Sequence, residues 1–292
     1  MFVALFNVLA PVFITLGLGY AWAKLKLDID PTFISRIVIN IGSPALLFHG
    51  LTTMEAGGGD EFVTLVLVAI SIIAILLAVN AVMLKILRKP LEGWLHPLTF
   101  PNWGNLGLPI CMFAFGDEGL TLALAFYAVA SVVQLTIGFL IAAGEWKPVL
   151  LMRMPMIYAI GAALAFMGAG VTPPVWLLNT TKLVGGLMIP MMLLALGASL
   201  AQLGSGRRWE TVGYVLYRFV LGISLALAAV WILDLEGAAR GVVLIQGAMP
   251  IAVLNYLLAA RFNRQPEFVA SLVFLSTLLT LVTIPLVLTF VL

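Results

Sequence analysis

Long uncharged segments separated by short polar connections form the dominant pattern of this chain. Runs without Asp, Glu, Lys or Arg cover, for example, 1–23, 62–84 and 268–292. Because a helix needs roughly 20 apolar residues to cross a bilayer core, runs of this length predict membrane-spanning helices. We number the ten predicted helices as spans 1 to 10: 2–23, 31–53, 61–84, 93–116, 119–143, 148–170, 174–203, 210–233, 238–260 and 267–291.

Composition supports an all-α membrane protein. Only 10% of the 292 residues are charged, whereas soluble domains carry about 25%. So few polar side chains cannot cover a water-soluble particle, which excludes a soluble enzyme. The net charge of +2 provides no field for nucleic acid, and the single Cys111 cannot form an intrachain disulfide.

Charges alternate between successive connections. The connections after odd-numbered spans are basic, whereas the others are acidic or uncharged apart from Arg240. Because cytoplasmic loops retain Lys and Arg, we expect both termini to lie outside the cytoplasm. We expect a multi-pass protein of the inner (plasma) membrane. Its first span should be retained and not cleaved as a signal peptide. The basic residues after odd-numbered spans are Lys24, Lys26, Lys85, Arg88, Lys89, Lys147, Arg153, Arg207, Arg208, Arg261 and Arg264.

Prolines indicate an internal repeat. Three prolines of the first half match prolines of the second half at nearly equal separations, each with a second matched residue nearby. A repeat of five spans, an odd number, forces the second copy to enter from the opposite side, which predicts inverted repeats over 1–146 and 147–292. Chance placement of residues common in membrane helices is the alternative. The pairs are Pro11 with Pro155, Pro44 with Pro190, and Pro109 with Pro250.

Span 4 contains a cluster of helix-breaking residues. Pro101, Gly104, Gly107 and Pro109 fall within nine positions, a density that disfavours an unbroken helix. Interrupted backbone at membrane depth is tolerated where it is buried in protein or lines a wet cavity. The second half of a broken helix begins with free N–H groups and a partial positive charge, which together attract anions. A kinked helix with packing glycines is the alternative.

Span 9 repeats this pattern more weakly. If the interruptions of spans 4 and 9 meet, they would surround one small cavity. No acidic residue lies in the interior of spans 4, 5 or 9, so this cavity would carry no negative charge. Such a neutral to slightly positive cavity favours a small organic anion over a cation. The candidate substrate-binding residues are Asn102, Gly104, Asn105, Gly107, Pro109, Gln246, Gly247, Pro250 and Asn40.

Other polar residues have less specific interpretations. Arg36, Lys182 and Arg218 are either snorkelling anchors or elements of a transport path. Gln134, Asn179 and Asn255 are typical of hydrogen bonds between membrane helices. The sequence contains no HExxH motif, no phosphate-binding loop and no nucleophile–base set at membrane depth, so we expect no catalytic residues, metal or cofactor.

Five segments of the chain resemble the auxin efflux carrier family, which includes plant auxin exporters and bacterial dicarboxylate carriers. The resemblance implies ten helices in two inverted repeats, with helices 4 and 9 crossing at Pro109 and Pro250. It also implies a dimerising scaffold of helices 1, 2, 6 and 7 and a transport domain of helices 3–5 and 8–10. The segments are Asn40–Leu51, Pro101–Leu120, Ile189–Leu200, Ala248–Phe262 and Val269–Pro285.

The resemblance also implies roles for single residues. Asparagines of the crossing element contact the substrate carboxylate in this family, which transfers to Asn102 and Asn105. The chain lacks the long cytoplasmic loop of the larger plant exporters, so regulation by phosphorylation of such a loop is not expected.

These observations predict a secondary transporter for a small organic carboxylate that works by alternating access of a crossover domain. The expected partners are the carboxylate, the bilayer and a second copy of the chain, without nucleic acid. A sodium-coupled symporter of the bile-acid transporter type is the nearest alternative. A non-transporting membrane receptor or assembly factor would explain the helices but not two matched interruptions.

Overall fold

The computed structural model describes residues 2–54, 58–143, 149–203 and 209–291, which are folded into helices joined by short connections. Within these ranges, seven helices are long and apolar enough to cross a membrane. This confirms the predicted class, an all-helical membrane protein. The loop charges Glu55, Lys147, Arg207 and Arg208 lie outside the described residues. The seven helices are Val3–Lys24, Pro31–Thr52, Gly59–Ile86, Trp103–Ala143, Val175–Gln202, Glu210–Ile232 and Pro266–Thr289.

The difference between seven such helices and ten predicted spans has a local cause. The second part of span 4 and span 5 form one continuous element, Trp103–Ala143, which changes direction at Gly116, whose backbone is not helical (φ 66°, ψ −149°). Span 6 consists of two helices, Val149–Met152 and the 14-residue Pro155–Gly168, and neither alone has the roughly 20 residues of a crossing. Span 9 is divided into Gly237–Gly247 and Val253–Arg261.

Span 4 is divided as well. Its first part, half-helix 4a, is Leu95–Thr99, and its second part, half-helix 4b, runs from Trp103 to the bend at Gly116. In span 9 we name the corresponding parts half-helix 9a (Gly237–Gly247) and half-helix 9b (Val253–Arg261).

Three short π-helical turns widen the helices of spans 2, 4 and 5. Such turns insert a residue into the helical repeat and occur frequently at functional sites. They are Val38–Gly42, Trp103–Gly107 and Gln134–Gly138. The remaining helices are Phe2–Lys24, Pro31–Ile37, Ser43–Thr52, Gly58–Ile86, Leu108–Val133, Phe139–Ala143, Val149–Met152, Val175–Gly186, Met188–Gln202, Trp209–Ile232 and Pro266–Thr289.

The helices pack in two groups. Span 1 lies along the second part of span 7, while span 2 packs against span 6 and the first part of span 7. Spans 3, 4 and 5 pack together with spans 8, 9 and 10. We call these sets the 1-2-6-7 group and the 3-5/8-10 group.

Glycine allows the backbones of spans 1 and 7 to touch. A Cβ at Gly197 would overlap the carbonyl oxygen of Leu16, and a Cβ at Gly19 would overlap that of Leu194. Small residues at such crossings are the usual means by which membrane helices approach closely. The contact between these two helices therefore depends on glycine at both positions.

We expect Gly116→Ala to lower the free energy of unfolding by about 1–3 kcal/mol, because its backbone angles are essentially restricted to glycine. No atom lies within 4 Å of a Cβ built there, so the cost would come from the backbone and not from a collision. Titration of the purified protein with a denaturing detergent measures the change. The control is Gly213→Ala, where a Cβ also has open space but the backbone is helical. An equal loss in both variants would contradict the backbone explanation.

Candidate functional site

The interruptions of spans 4 and 9 contact each other through their backbones. The amide of Asn102 donates to the carbonyl oxygen of Pro250 at 2.7 Å, and the amide of Ala252 donates to that of Phe100 at 3.3 Å. These bonds form an antiparallel bridge between Pro101 and Ile251. Two extended segments that would otherwise leave unpaired backbone groups at membrane depth thus satisfy each other.

Side chains reinforce this crossing. The indole Nε1 of Trp103 donates to the carbonyl oxygen of Gln246 at 2.8 Å, and Nε2 of Gln246 lies 3.4 Å from the carbonyl oxygen of Trp103. Gly107 lies directly against the Gln246 side chain, since a Cβ at Gly107 would overlap it. The amide of Ile251 donates to the hydroxyl of Ser276 in span 10 at 3.1 Å.

A further pair of side chains holds the end of half-helix 4a. Nδ2 of Asn255 donates to the carbonyl oxygen of Phe100 at 2.9 Å, and Oδ1 of the same side chain accepts from Nε2 of Gln134 at 2.8 Å. This confirms the prediction that Gln134 and Asn255 make hydrogen bonds between helices. Asn179, the third residue of that prediction, has an exposed side chain.

A cavity of about 100 Å³ adjoins the crossing. Because one water needs about 10–15 Å³ by this measure, the cavity has room for several waters or for a carboxylate with few non-hydrogen atoms. Each of the three π-helical turns contributes to its wall, and none of the described lining residues is charged. Besides Asn102 and Asn105, the polar lining residues are Ser35, Tyr127, Ser131, Gln134 and Ser199.

Asn102 is the polar residue best placed to bind an anion. Its side chain is 3% exposed, and its Oδ1 accepts a hydrogen bond from the backbone amide of Asn105 at 3.2 Å. Its Nδ2 is buried and has no hydrogen-bond partner among the described residues. Because a buried donor without an acceptor costs free energy, this atom indicates a site for an oxygen-bearing ligand.

The backbone adds to the same electrostatic preference. The first amides of half-helices 4b and 9b have no preceding turn to bond with, and each half-helix carries a partial positive charge at this end. Gly104 of half-helix 4b and Val253 of half-helix 9b both line the cavity. Two positive helix ends and a neutral wall therefore favour a negatively charged ligand.

The nine candidate residues fall into three sets. Asn102, Gly104 and Asn105 line the cavity, where the ring of Tyr127 packs closely on Gly104. A second set lies at the crossing behind the cavity: Gly107, Gln246, Gly247 and Pro250. The third set, Pro109 and Asn40, belongs to neither. Pro109 lies inside half-helix 4b, six residues after its start at Trp103, so the backbone bridge to span 9 is at Pro101 and not at Pro109 as the resemblance implies.

Asn40 is not brought to the cavity. Its side chain is exposed, and its Nδ2 donates to the carbonyl oxygen of Arg36 at 2.8 Å, one turn earlier. The neighbours Val38 and Ile39 line the cavity instead, because Asn40 lies on the exposed face of the same helical segment.

Sequence reasoning missed the contribution of span 5 to the cavity. Tyr127 and Ser131 are single polar residues in an apolar helix, and no motif distinguishes them from residues that pack against neighbours. The hydroxyl of Tyr127 lies 2.6 Å from that of Ser43 in span 2. This hydrogen bond joins the 1-2-6-7 group to the 3-5/8-10 group beside the cavity.

A second, larger cavity of about 780 Å³ is lined by other parts of spans 2 and 5 than those that line the first. It is lined by the end of span 2 and the beginnings of spans 3 and 5, which adjoin connections after even-numbered spans. The first cavity is lined instead by residues near the opposite helix ends, such as Ser35, Met156 and Ser199. The second cavity carries charges of both signs, among them Glu61, Asp117 and Lys182.

Comparison with known proteins places this chain among membrane transport proteins. The chain matches a family described as "Membrane transport protein" over residues 4–152 and 145–288. It is 25% identical over 299 residues to an uncharacterized transporter of Methanothermobacter thermautotrophicus, covering 94% of both chains. It is 24% identical over 271 residues to an uncharacterized transporter of Methanocaldococcus jannaschii, covering 87% of both chains.

Proposed function

The chain belongs to the membrane transport protein family, the family of the auxin efflux carriers, and from this premise we propose that it moves a small organic carboxylate across the membrane. This is a family of membrane transporters and not a class of enzymes. The observation that carries the choice of substrate class is the buried, unpartnered Nδ2 of Asn102 at the cavity wall. A carboxylate is the small ligand that best satisfies this donor together with two positive helix ends.

The carboxylate is bound where half-helices 4b and 9b begin. One oxygen accepts from Nδ2 of Asn102, and the other is stabilised by the free amides at the start of half-helix 4b. Asn105 supplies a second amide side chain at the same wall. Gln246, Gly247 and Pro250 do not contact the carboxylate. They stabilise the crossing and thereby fix the position of Asn102.

Alternating access follows from the two helix groups. The 1-2-6-7 group is the scaffold, and the 3-5/8-10 group is the transport domain that carries the crossing and its bound carboxylate. The small cavity and the larger one lie on opposite sides of the crossing, and each connects the site with one side of the membrane. The hydrogen bond between Ser43 and Tyr127 breaks when the domain moves.

The proposal includes the architecture that the resemblance implies. The ten spans form two inverted repeats, 1–146 and 147–292, and spans 4 and 9 are the crossover helices. The protein lies in the inner (plasma) membrane with both termini outside the cytoplasm, and it forms a homodimer through the scaffold.

Purified protein in liposomes tests the function directly. We expect uptake of at least one labelled compound from a panel of acetate, benzoate, malonate and succinate, and an increase in the melting temperature with the same compound. Liposomes without protein provide the background. Binding without uptake would favour the receptor, uptake that requires sodium would favour the bile-acid type of symporter, and neither binding nor uptake would refute the proposal.

A further inference from the structure

Arg218 is a buried charge that lies apart from the residues lining the first cavity. It lies in span 8 with 1% of its surface exposed, and its Nε and Nη1 have no hydrogen-bond partner among the described residues. The ion pairs found within the described part of the chain join Lys89 to Glu210 and Arg264 to Glu92. Neither pair includes Arg218, so other surroundings must offset the cost of burying its charge.

The surroundings of Arg218 include the C-terminal end of half-helix 9a. Gly222 lies one turn later on span 8, and a Cβ there would touch both Nη1 of Arg218 and the carbonyl oxygen of Gly247. Gly247 is the last residue of half-helix 9a, where helical carbonyls lack intrahelical partners and the helix carries a partial negative charge. The absence of a side chain at Gly222 therefore lets the guanidinium approach this carbonyl end.

The first interruption has a neutral group at the corresponding position. Asn80 of span 3 is fully buried, and its Nδ2 lies 3.4 Å from Oγ1 of Thr99, the last residue of half-helix 4a. Its Oδ1 accepts a hydrogen bond from the hydroxyl of Tyr217, the residue before Arg218, at 2.9 Å. One of the two broken helices thus ends beside an amide and the other beside a cation.

In transporters built from inverted repeats, the carbonyl ends of broken helices coordinate the coupling cation. Here a guanidinium attached to the chain lies next to such an end. We propose that Arg218 is a built-in cation, which supplies at the end of half-helix 9a the positive charge that bound Na⁺ would supply in a coupled symporter. The consequence for transport, that carboxylate uptake needs no Na⁺, depends on the proposed function above.

Four substitutions separate charge from packing. Arg218→Gln removes the charge and keeps most of the side-chain volume, Arg218→Ala leaves a space, and Arg218→Lys keeps the charge. The matched control is Arg240→Ala, which removes an exposed arginine from half-helix 9a itself. Arg218 is a positioning residue in this proposal, because it acts on the crossing and not on the carboxylate.

The main measurement is the melting temperature of the purified protein with millimolar guanidinium chloride or choline chloride. We expect Arg218→Ala to melt lower than the unsubstituted protein and to recover with guanidinium but not with choline. Arg218→Gln should also melt lower and should not recover, because its side chain fills the space. Recovery to the same extent in both variants, or in neither, would overturn the proposal.

Uptake into liposomes provides the second readout. We expect Arg218→Gln to reduce carboxylate uptake about tenfold, which corresponds to the interaction free energy of a partly buried cation with the C-terminal end of a helix. Arg218→Lys and Arg240→Ala should transport the carboxylate as the unsubstituted protein does. Uptake by the unsubstituted protein should be equal in sodium and choline media, and a requirement for sodium would refute the inference. If no carboxylate is transported but guanidinium rescues Arg218→Ala, the proposed function fails and the cation site remains.

Discussion

Asn102→Asp is expected to weaken carboxylate binding strongly while leaving the protein folded. The substitution keeps an oxygen at the position that accepts the Asn105 amide at 3.2 Å, and aspartate at the start of a helix interacts favourably with its dipole. It replaces the donor Nδ2 by an acceptor and adds a negative charge beside the bound anion. Losing a hydrogen bond to a charged group costs about 1.5–3 kcal/mol, and the repulsion adds to this loss.

Affinity for the carboxylate should therefore fall by about 100-fold or more. Calorimetric titration of the purified protein with the compound identified in the uptake panel measures this change. The melting temperature without ligand should stay the same or rise, which distinguishes lost recognition from lost structure. Asn102→Ala should reduce both the affinity for the carboxylate and the melting temperature, because it removes the cap of half-helix 4b as well as the donor.

Asn179→Ala is the control for this experiment. The Asn179 side chain is exposed in span 7, so the carboxylate affinity and the melting temperature of this variant should match those of the unsubstituted protein. Unchanged affinity in Asn102→Asp would remove Asn102 from the site and, with it, the main argument for a carboxylate.

Gly197→Val is expected to lower the free energy of unfolding more than Gly116→Ala. A side chain at this position would collide with the backbone of span 1 at Leu16 and Tyr20, and backbone cannot move aside as a flexible side chain can. The two helices would have to separate along their contact, at a cost of about 3 kcal/mol or more in the free energy of unfolding.

Unfolding in a denaturing detergent measures the loss, and Gly161→Val in span 6 provides the matched control. A Cβ at Gly161 meets no atom within 4 Å, so the same change of residue should cost little there. Because spans 1 and 7 belong to the scaffold of the proposed carrier, uptake should fall together with stability. Equal stability of the two variants would contradict the close contact between these helices.

Part of the candidate site could be predicted because it depends on residues close together in the chain. Pro101, Gly104 and Gly107 disfavour a continuous helix wherever it packs, and the structure has its interruption between Thr99 and Trp103. Asn102 lies within this interruption, so its side chain is free to cap half-helix 4b and reach the cavity.

Other parts of the site could not be predicted, since they depend on the rotation of whole helices. Asn40 has the same side chain as Asn102, but it lies within a continuous helical segment and on the exposed face of that segment. Tyr127 and Gln134 reach the cavity because span 5 presents one face to span 2 and to half-helix 9b. The residues that neighbour Tyr127 and Gln134 in the chain do not indicate which face of span 5 is turned toward the cavity.

The sequence by itself determined the membrane class, the helical composition and the presence of an interruption in spans 4 and 9, but not that the interruption of span 4 precedes Trp103. These properties follow from hydropathy and from the backbone chemistry of proline and glycine, which act over a few neighbouring residues. Only the tertiary structure decided that the two interruptions pair with each other, that Arg218 lies beside a helix end, and which polar side chains share a cavity. Such contacts join residues of different helices, from Arg218 with Gly247 to Asn102 with Pro250, and they depend on how helices rotate and pack in three dimensions.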